Sequence, residues 1–515
     1  MKKSTRILAA LLTAVLLLPA CAQNDDGQGA QDTTDSAADP AVTTEAATTL
    51  DPNLRANHFD NLPADINFDG GTVTVLFRGT MADLEGTTCS YWIRNDICGT
   101  DNIGDPVSDL VWERNQNVAE RLNITLTWIP TEGGSLQGDQ QVIESSIMAS
   151  SDDYNVLLTT ANTSASMGLN VYMRDISHIP HVDYAQPWWW EFANEAFSLD
   201  GKTRQFIVGD MLLTNLAQTG VLFFNKDLYT DAYGDPDELY KLTLDGKLTY
   251  DKLYELVQGA YQDANGDGKQ DEGDIYGMCY SSGKTEELSH MVMACDLDMY
   301  TFEDGTLTIT MNNDRTVKAI ETLYKMVNET GAAWSITESI TGLSPVFTEG
   351  HSMFMCNRLG QAAGPLFREM EEEFGILPLP KLDEEQNMYI SYPHDSGTVL
   401  AVPKNVGDDT FTMVGATLEA LCGEAHRTYI DAFLETALKM KYSRDALSGQ
   451  CIDLVMAGLT KNTLMEYVGY TATIVNTCIY TPIKSNPAGF AASYRKVGPA
   501  AQKQWDKFVK ETVGG

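Results

Sequence analysis

Two rhythms of apolar and polar residues run along this chain. "GTVTVLFRG" (Gly71–Gly79) is a compact apolar run and reads as a buried strand. "PVSDLVWERNQNVAERLN" (Pro106–Asn123) repeats apolar side chains at helical spacing, at Val107, Leu110, Val111, Val118 and Leu122. "ITLTWI" (Ile124–Ile129) alternates like a strand, "DQQVIESSIMAS" (Asp139–Ser150) predicts a short helix, and "YNVLLTT" (Tyr154–Thr160) a strand again. Strand, helix, strand, helix, strand is the opening of a doubly wound α/β sheet. Ligands of such sheets sit beyond the carboxyl ends of the strands. Those ends are Phe77-Arg78, Ile129-Pro130 and Thr160-Ala161-Asn162.

A second unit starts at "TGVLFFNKDLY" (Thr219–Tyr229), and "YDKLYELVQGAY" (Tyr250–Tyr261) predicts a helix. "TFEDGTLTITM" (Thr301–Met311) reads as a hairpin turning at Asp304-Gly305. "DRTVKAIETLYKMVNETG" (Asp314–Gly331) is an amphipathic helix, and "GHSMFMCNRLG", "FGILPLPK" and "GTVLAVPK" are strand-like segments followed by helices. No internal repeat is visible.

The first 65 residues carry neither rhythm. Lys2, Lys3 and Arg6 precede a short apolar run, Ile7 to Leu18, too brief for a permanent membrane span. The run ends in Leu18-Pro19-Ala20-Cys21, which resembles the lipobox of bacterial lipoproteins. That resemblance makes residues 1–20 a signal peptide and Cys21 the acylated (palmitate-bearing) first mature residue, held to the membrane through its lipid. An ordinary secretory signal is the alternative. From Cys21 to about Pro52 the chain has almost no large apolar residue to offset ordering entropy, so residues 21–65, up to the expected start of the fold near Ile66, are expected to be a disordered acidic tether. Roughly 450 residues remain, enough for two or three domain-sized cores.

Charge narrows the function. With 72 acidic against 35 basic residues the net charge is -37, which argues against nucleic acid, whose phosphates need Lys and Arg. Of nine cysteines, eight lie beyond Cys21, and an even number outside the cytoplasm permits disulfides. Buried thiols are the other reading.

"DANGDGKQDEGD" (Asp263–Asp274) has the spacing of an EF-type calcium loop. Asp263, Asn265, Asp267, the Lys269 carbonyl, Asp271 and Asp274 stand at the ligand positions, with Gly268 at the sharp turn. Asp274 replaces the usual glutamate, and the following "IYG" is extended, so one helix and a loop are expected and not a helix-loop-helix switch. The expected role is a structural calcium ion bracing the second unit. An Asx-rich turn without metal is the alternative.

Several segments in order resemble the family 1 extracellular solute-binding proteins of bacterial ABC importers. They are "PWWWEFANEAFSLDGKTRQFIVGD" (Pro187–Asp210), "LFFNKDLY" (Leu222–Tyr229), "GKLTYDKLYELV" (Gly246–Val257) and "DANGDGKQDEGDIYG" (Asp263–Gly277). "FTEGHSMFMCNRLG" (Phe347–Gly360), "FGILPLPKLDEEQNMYISY" (Phe374–Tyr392) and "LKMKYSRD" (Leu438–Asp445) complete the set. The resemblance implies an α/β, two-lobed fold of the periplasmic-binding-protein-like type II. Lobe 1 would comprise residues 66–213 with 397–440, and lobe 2 residues 218–391 with 445–515. The chain would cross near Met211–Gln218, Tyr392–Thr398 and Met440–Asp445. A solute, by this likeness a mono- or oligosaccharide, would bind between the lobes and pass to a membrane permease. No catalysis is implied, and the place of work is the extracytoplasmic face of the cell membrane.

Sugar rings stack on aromatics and bond through planar polar groups. Trp188, Trp189 and Trp190 are therefore candidate shelves, at least one expected in the core and at least one near the cleft. Asn357 and Arg358 follow a strand, and Arg78, Asn162, His394 and Asp395 stand at strand ends or crossings, each with a core or ion-pair reading beside the binding one. Three decoys fall away. "GMCYSSGKT" puts five residues between its glycines where a phosphate loop needs four. His394, Asp395 and Ser396 are too close in sequence for a triad, and the glutamates of "FREMEEEFG" read as a solvated helix face. An exported carbohydrate-active enzyme with a distant acidic pair, and a calcium-dependent cell-surface interaction module, remain the competing functions.

Overall fold

The computed structural model describes residues 54–80, 96–97, 106–166, 172–196, 198, 202–281, 286–303, 306–336, 340–394, 396–442, 446–459 and 473–513. The signal peptide, Cys21, most of the tether, Cys89, Cys98, Asp395 and the third expected crossing near 443–445 lie outside the described residues.

Eleven strands are present among them. They are β1 (Gly71–Phe77), β2 (Ile124–Pro130), β3 (Val156–Thr160), β4 (Gly220–Asn225), β5 (Tyr276–Ser281), β6 (Tyr300–Glu303), β7 (Thr306–Ile309), β8 (Ala333–Ile336), β9 (Ser352–Arg358), β10 (Phe374–Leu377) and β11 (Thr398–Ala401). The first sheet runs β11-β3-β1-β2, with β1 parallel to β2 and β3, and β11 antiparallel to β3. The second runs β10-β4-β9-β5-β8. There β5 is parallel to β8 and β9, while β4 is antiparallel to β9 and β10. β6 and β7 form a separate hairpin where one was expected.

The apolar runs have a simple cause. Every residue of β3, β4 and β11 is buried, as expected of strands covered on both faces. The second sheet departs from a purely parallel arrangement because β4 enters it directly from a crossing and runs against β9.

Two crossings join the sheets. One passes through the short helix Leu213–Ala217 into β4, and the other returns from β10 to β11. They pair with each other: Thr219 bridges Pro393, Gly220 N donates to the Tyr392 carbonyl (3.1 Å), and His394 N donates to the Gln218 carbonyl (3.1 Å). The helix Asp408–Tyr442 packs on the helix Pro106–Leu122 in the first lobe, while the helix Ala446–Ala457 packs on Asp237–Leu244 and β10 in the second. Among the described residues no helix is long and apolar enough to cross a membrane. Cys279, Cys295, Cys356, Cys422, Cys451 and Cys478 are buried thiols outside any disulfide.

Candidate functional site

The three parallel strands of the first sheet end together. Phe77 is in register with Pro130 and with Leu158. Arg78 N donates to the Leu158 carbonyl (3.1 Å) and Thr131 N to the Phe77 carbonyl (2.9 Å). Beyond this edge the Asp139 carboxylate, buried near the start of the helix Leu136–Met148, accepts from Arg78 Nε at 2.9 Å and from the Thr131 hydroxyl. Gly133 and Gly138 let the loop and helix touch: a Cβ on Gly138 would stand 2.0 Å from the Gly133 carbonyl oxygen. Arg78 is thus oriented by a charge-assisted bond, with its side chain only 16% exposed.

The crossings close the other side. Ala161 N, just after β3, donates to the Gly397 carbonyl (2.8 Å), tying a strand end to the second crossing. Asp96 braces both crossings at once: its carboxylate accepts from Thr214 N (2.7 Å) and from the Thr398 hydroxyl (2.9 Å). Burial away from solvent pushes this carboxyl up to about 7, against the opposing pull of Thr214, Thr398 and Arg114. Further along, Ser396 Oγ lies 2.9 Å from His394 Nδ1 and 3.3 Å from Gln218 Oε1, where it donates.

On the second lobe's side, Arg358 ends β9 opposite Gly220, the first residue of β4. Between them and His394 sits His290, fully buried, its ring 5.6 Å from that of His394. Burial, then His394 and Arg358, hold the His290 imidazole well below its ordinary pKa, so it is neutral. Neither ring nitrogen meets hydrogen-bond geometry with a described residue, although the Tyr392 carbonyl lies near enough to favour the charged form slightly. Gly220 is required here, because a Cβ would come within 2.4 Å of His290 Nδ1.

Arg78, Asn162, Arg358 and His394 therefore lie on the edges and crossings where binding was anticipated. Asn162 is half-buried in the short helix Ala161–Ser166 after β3. Four other candidates do not lie there. Trp188, Trp189 and Trp190 are 0%, 4% and 8% exposed, so the expected cleft-facing tryptophan is absent. A Cβ on Gly423 would stand 3.5 Å from the Trp188 ring, Trp189 Nε1 donates to Glu419 Oε2 (2.9 Å), and Trp190 Nε1 donates to Asp210 Oδ1 (2.7 Å). All three are core residues of the first lobe, with the polar edges of Trp189 and Trp190 directed at buried carboxylates. Asn357 is also fully buried, accepting from Arg358 N (2.8 Å) and donating to Ser344 Oγ (3.4 Å). Asp96, Thr131, Asp139 and His290 escaped the sequence reading as site residues; Gln218 was placed only as the end of a crossing, and Ser396 was set aside as part of a decoy triad. Only the close glycines before Asp139 gave any signal.

The acidic loop is at the opposite edge of the second sheet. Tyr276, just after it, pairs with Ser352 at the start of β9, whereas Arg358 at the other end of β9 adjoins the crossings. At a rise of about 3.3 Å per residue the two edges are roughly 20 Å apart. Asp263 cups three amides: its Oδ1 accepts from Gly266 N (2.7 Å) and Asp267 N (3.2 Å), its Oδ2 from Gly268 N (2.9 Å). Gly266 and Gly268 both take the left-handed turn, at φ +73°. Asn265 Oδ1 and Asp267 Oδ1 accept from amides two residues on, and Asp271 Oδ1 accepts from Asn265 Nδ2 (2.9 Å). Asp274 is fully buried, and accepts from the Tyr261 hydroxyl, Ala264 N and Asp271 N. Among the described residues no group of three or more His, Cys, Asp or Glu side chains is gathered as a metal-holding set.

No family model matches the chain, and no curated protein sequence matches it. Solved structures do. The chain is similar to UgpB from Mycobacterium tuberculosis in complex with glycerophosphocholine, with TM-score 0.53 and 13% identity over 79% of this chain and 96% of that one. It is similar to a family 1 extracellular solute-binding protein from Bifidobacterium longum subsp. infantis, with TM-score 0.52 and 13% identity over 83% and 100%. A Listeria monocytogenes ABC substrate-binding protein in complex with cycloalternan gives TM-score 0.50 and 13% identity over 87% and 100%. The fold is that of the two-lobed ABC substrate-binding proteins. In this fold the paired crossings at Thr219 and Pro393 stand where the two lobes join.

Proposed function

We propose that this chain captures a small solute between its lobes and delivers it to an ABC import permease, without turnover. The observation that carries the reading is the meeting of three parallel strand ends, an oriented Arg78 and two paired crossings at one edge. Oriented donors and small hydroxyl-bearing residues suit a polyhydroxylated ligand, so the solute class is a mono- or oligosaccharide. The solved relatives bound to cycloalternan and glycerophosphocholine support both a carbohydrate and, as a second choice, a glycerol phosphodiester. Cys21 carries the lipid anchor in this reading, and the protein works on the extracytoplasmic membrane face; the tether is shorter than the expected 21–65, because Arg55 and Asp60 pair with Asp431 and Arg121 and Leu62 is buried. The loop Asp263–Asp274 binds one structural calcium ion, supported by the spacing of its oxygens and its two left-handed glycines.

A thermal-shift screen tests the solute. Mono- and oligosaccharides, glycerophosphocholine, amino acids and short peptides are compared at equal concentration. A ligand at one hundred times its Kd stabilises the folded state by about 2.7 kcal/mol. Stabilisation by a saccharide is expected. Hits confined to peptides would overturn the carbohydrate assignment, and measurable glycoside hydrolysis would overturn the transport reading.

A further inference from the structure

The strand edge of the first lobe holds a guanidinium whose charge is already met inside the protein. Arg78 follows β1, and its Nε donates to Asp139 Oδ2 at 2.9 Å. The other Asp139 oxygen accepts from the Thr131 hydroxyl, which in turn accepts from Gly79 N (3.3 Å). One carboxylate thus ties together the ends of β1 and β2 and the helix Leu136–Met148. Only 5% of its side chain is exposed, against 16% for Arg78. Gly133 presses on it from the loop: a Cβ there would stand 2.6 Å from Asp139 Oδ1. The carboxylate is sealed behind the edge, and Arg78 is the member of the pair nearer to solvent.

An arginine without an acidic partner reads phosphate or carboxylate through its planar fork and its charge. Asp139 stands where such an anion would stand, beside the guanidinium and in the first turn of a helix, where negative charge is stabilised. Arg78 makes a further contact as well, and the match holds with it or without it, one negative charge facing one positive. An oxyanion arriving at Arg78 would gain the attraction of the guanidinium and lose part of it to the carboxylate just behind, while giving up its own water. A neutral hydroxyl gives up far less.

We propose that Asp139 is a specificity-determining residue, a built-in anion that turns oxyanions away from the first-lobe strand edge and leaves that edge to neutral hydroxyls. This deepens, and rests on, the reading of the edge as part of the solute site. A saccharide then ranks above a glycerol phosphodiester there, since discrimination comes as much from what a site repels as from what it attracts.

Inorganic phosphate is the probe, and equilibrium dialysis of the full chain at low salt is the measurement. The wild type is expected to show no phosphate binding that depends on Arg78. Asp139→Asn keeps an acceptor for Arg78 and Thr131 and removes the charge. It is expected to bind phosphate roughly tenfold or more tightly than the wild type, an advantage that shrinks at high salt. Asp139→Ala should gain as well, and Arg78→Gln added to either variant should abolish the gain. Loss of a carboxylate that served only as a brace would lower stability without creating an anion site. Wild-type phosphate binding abolished by Arg78→Gln, variants that bind phosphate no better than the wild type, or a gain that survives Arg78→Gln would each overturn the proposal. The wild-type arm stands even if neither variant folds. If these outcomes hold and no saccharide stabilises the protein, the transport reading fails alone. If a saccharide binds while the variants gain nothing, the Asp139 assignment fails alone.

Discussion

Two parts of the first lobe invite comparison. The segment Trp188–Trp190 is the most conspicuous stretch of the sequence, and it is sealed inside the core with the indole N–H of Trp189 on Glu419 and that of Trp190 on Asp210. The seam where the chain crosses between sheets is inconspicuous, built from Asp96, Thr214, Asn215, Gly397 and Thr398. Yet Asp96 reaches Thr398 across 302 positions, Asn215 Nδ2 donates to the Thr398 carbonyl (2.9 Å), and Gly397 leaves only 2.3 Å between a would-be Cβ and Asn215 Oδ1. Large aromatics are conspicuous because they carry most of the burial. Polar groups that join distant segments carry little compositional signal, and they hold the place where the lobes meet.

The comparison breaks most visibly at Trp188. Trp188→Ala empties the space against Gly423 and the His426 ring, 6.1 Å away. Loss of a fully buried large aromatic costs about 3–5 kcal/mol. Urea unfolding should show that loss, while the protein that remains folded keeps its solute preference. A variant of normal stability with altered preference would return the tryptophans to the cleft.

Asp96 gives a smaller, pH-shaped effect. Its carboxyl is about 7 in the fold against 3.8 unfolded, so the folded state favours the neutral form. The stabilisation is fully present below the unfolded value and is lost as pH rises through about 7. Asp96→Asn retains a neutral group able to accept from Thr214 N. The variant is expected to match the wild type near pH 4 and to exceed it above pH 7, by on the order of 2 kcal/mol. Denaturation at several pH values reads this directly. Parallel stability curves would show that Asp96 is charged at the seam without cost.

Legibility follows the same division. The strands β1 and β3 were readable because buried parallel strands leave apolar runs, and β2, largely half-buried, by its alternation. Arg78, Asn162, Arg358 and His394 were readable as strand-end or crossing residues. What could not be read was the pairing. Nothing local in "MCNRLG" separates Asn357, buried beside Ser344, from Arg358 one residue later at the edge. Nor does a lone His290 announce that it packs on Gly220. The antiparallel entry of β4 was hidden for the same reason, since it depends on where a crossing delivers the chain.

The acidic loop sharpens the contrast from outside, being at the edge of the second sheet remote from the seam. Its carboxylates already satisfy the loop's own amides, Asp263 alone accepting three, so the turn is shaped before an ion enters. An ion at position one would strengthen an existing bend without creating one. Calcium added to chelated protein at about ten times its Kd should stabilise by about 1.4 kcal/mol. At about 2.1 cal/mol/K of unfolding entropy per residue, that is a melting shift of roughly 1–2 °C for the whole folded chain. Asp263→Ala should abolish the shift, and solute affinity should be the same with and without calcium. The absence of any shift at millimolar calcium, or a shift that survives Asp263→Ala, would remove the ion from the loop. A calcium-dependent change in solute affinity would instead mean that the two edges of the sheet are coupled, and that the loop acts on the seam across the roughly 20 Å of β9 between them.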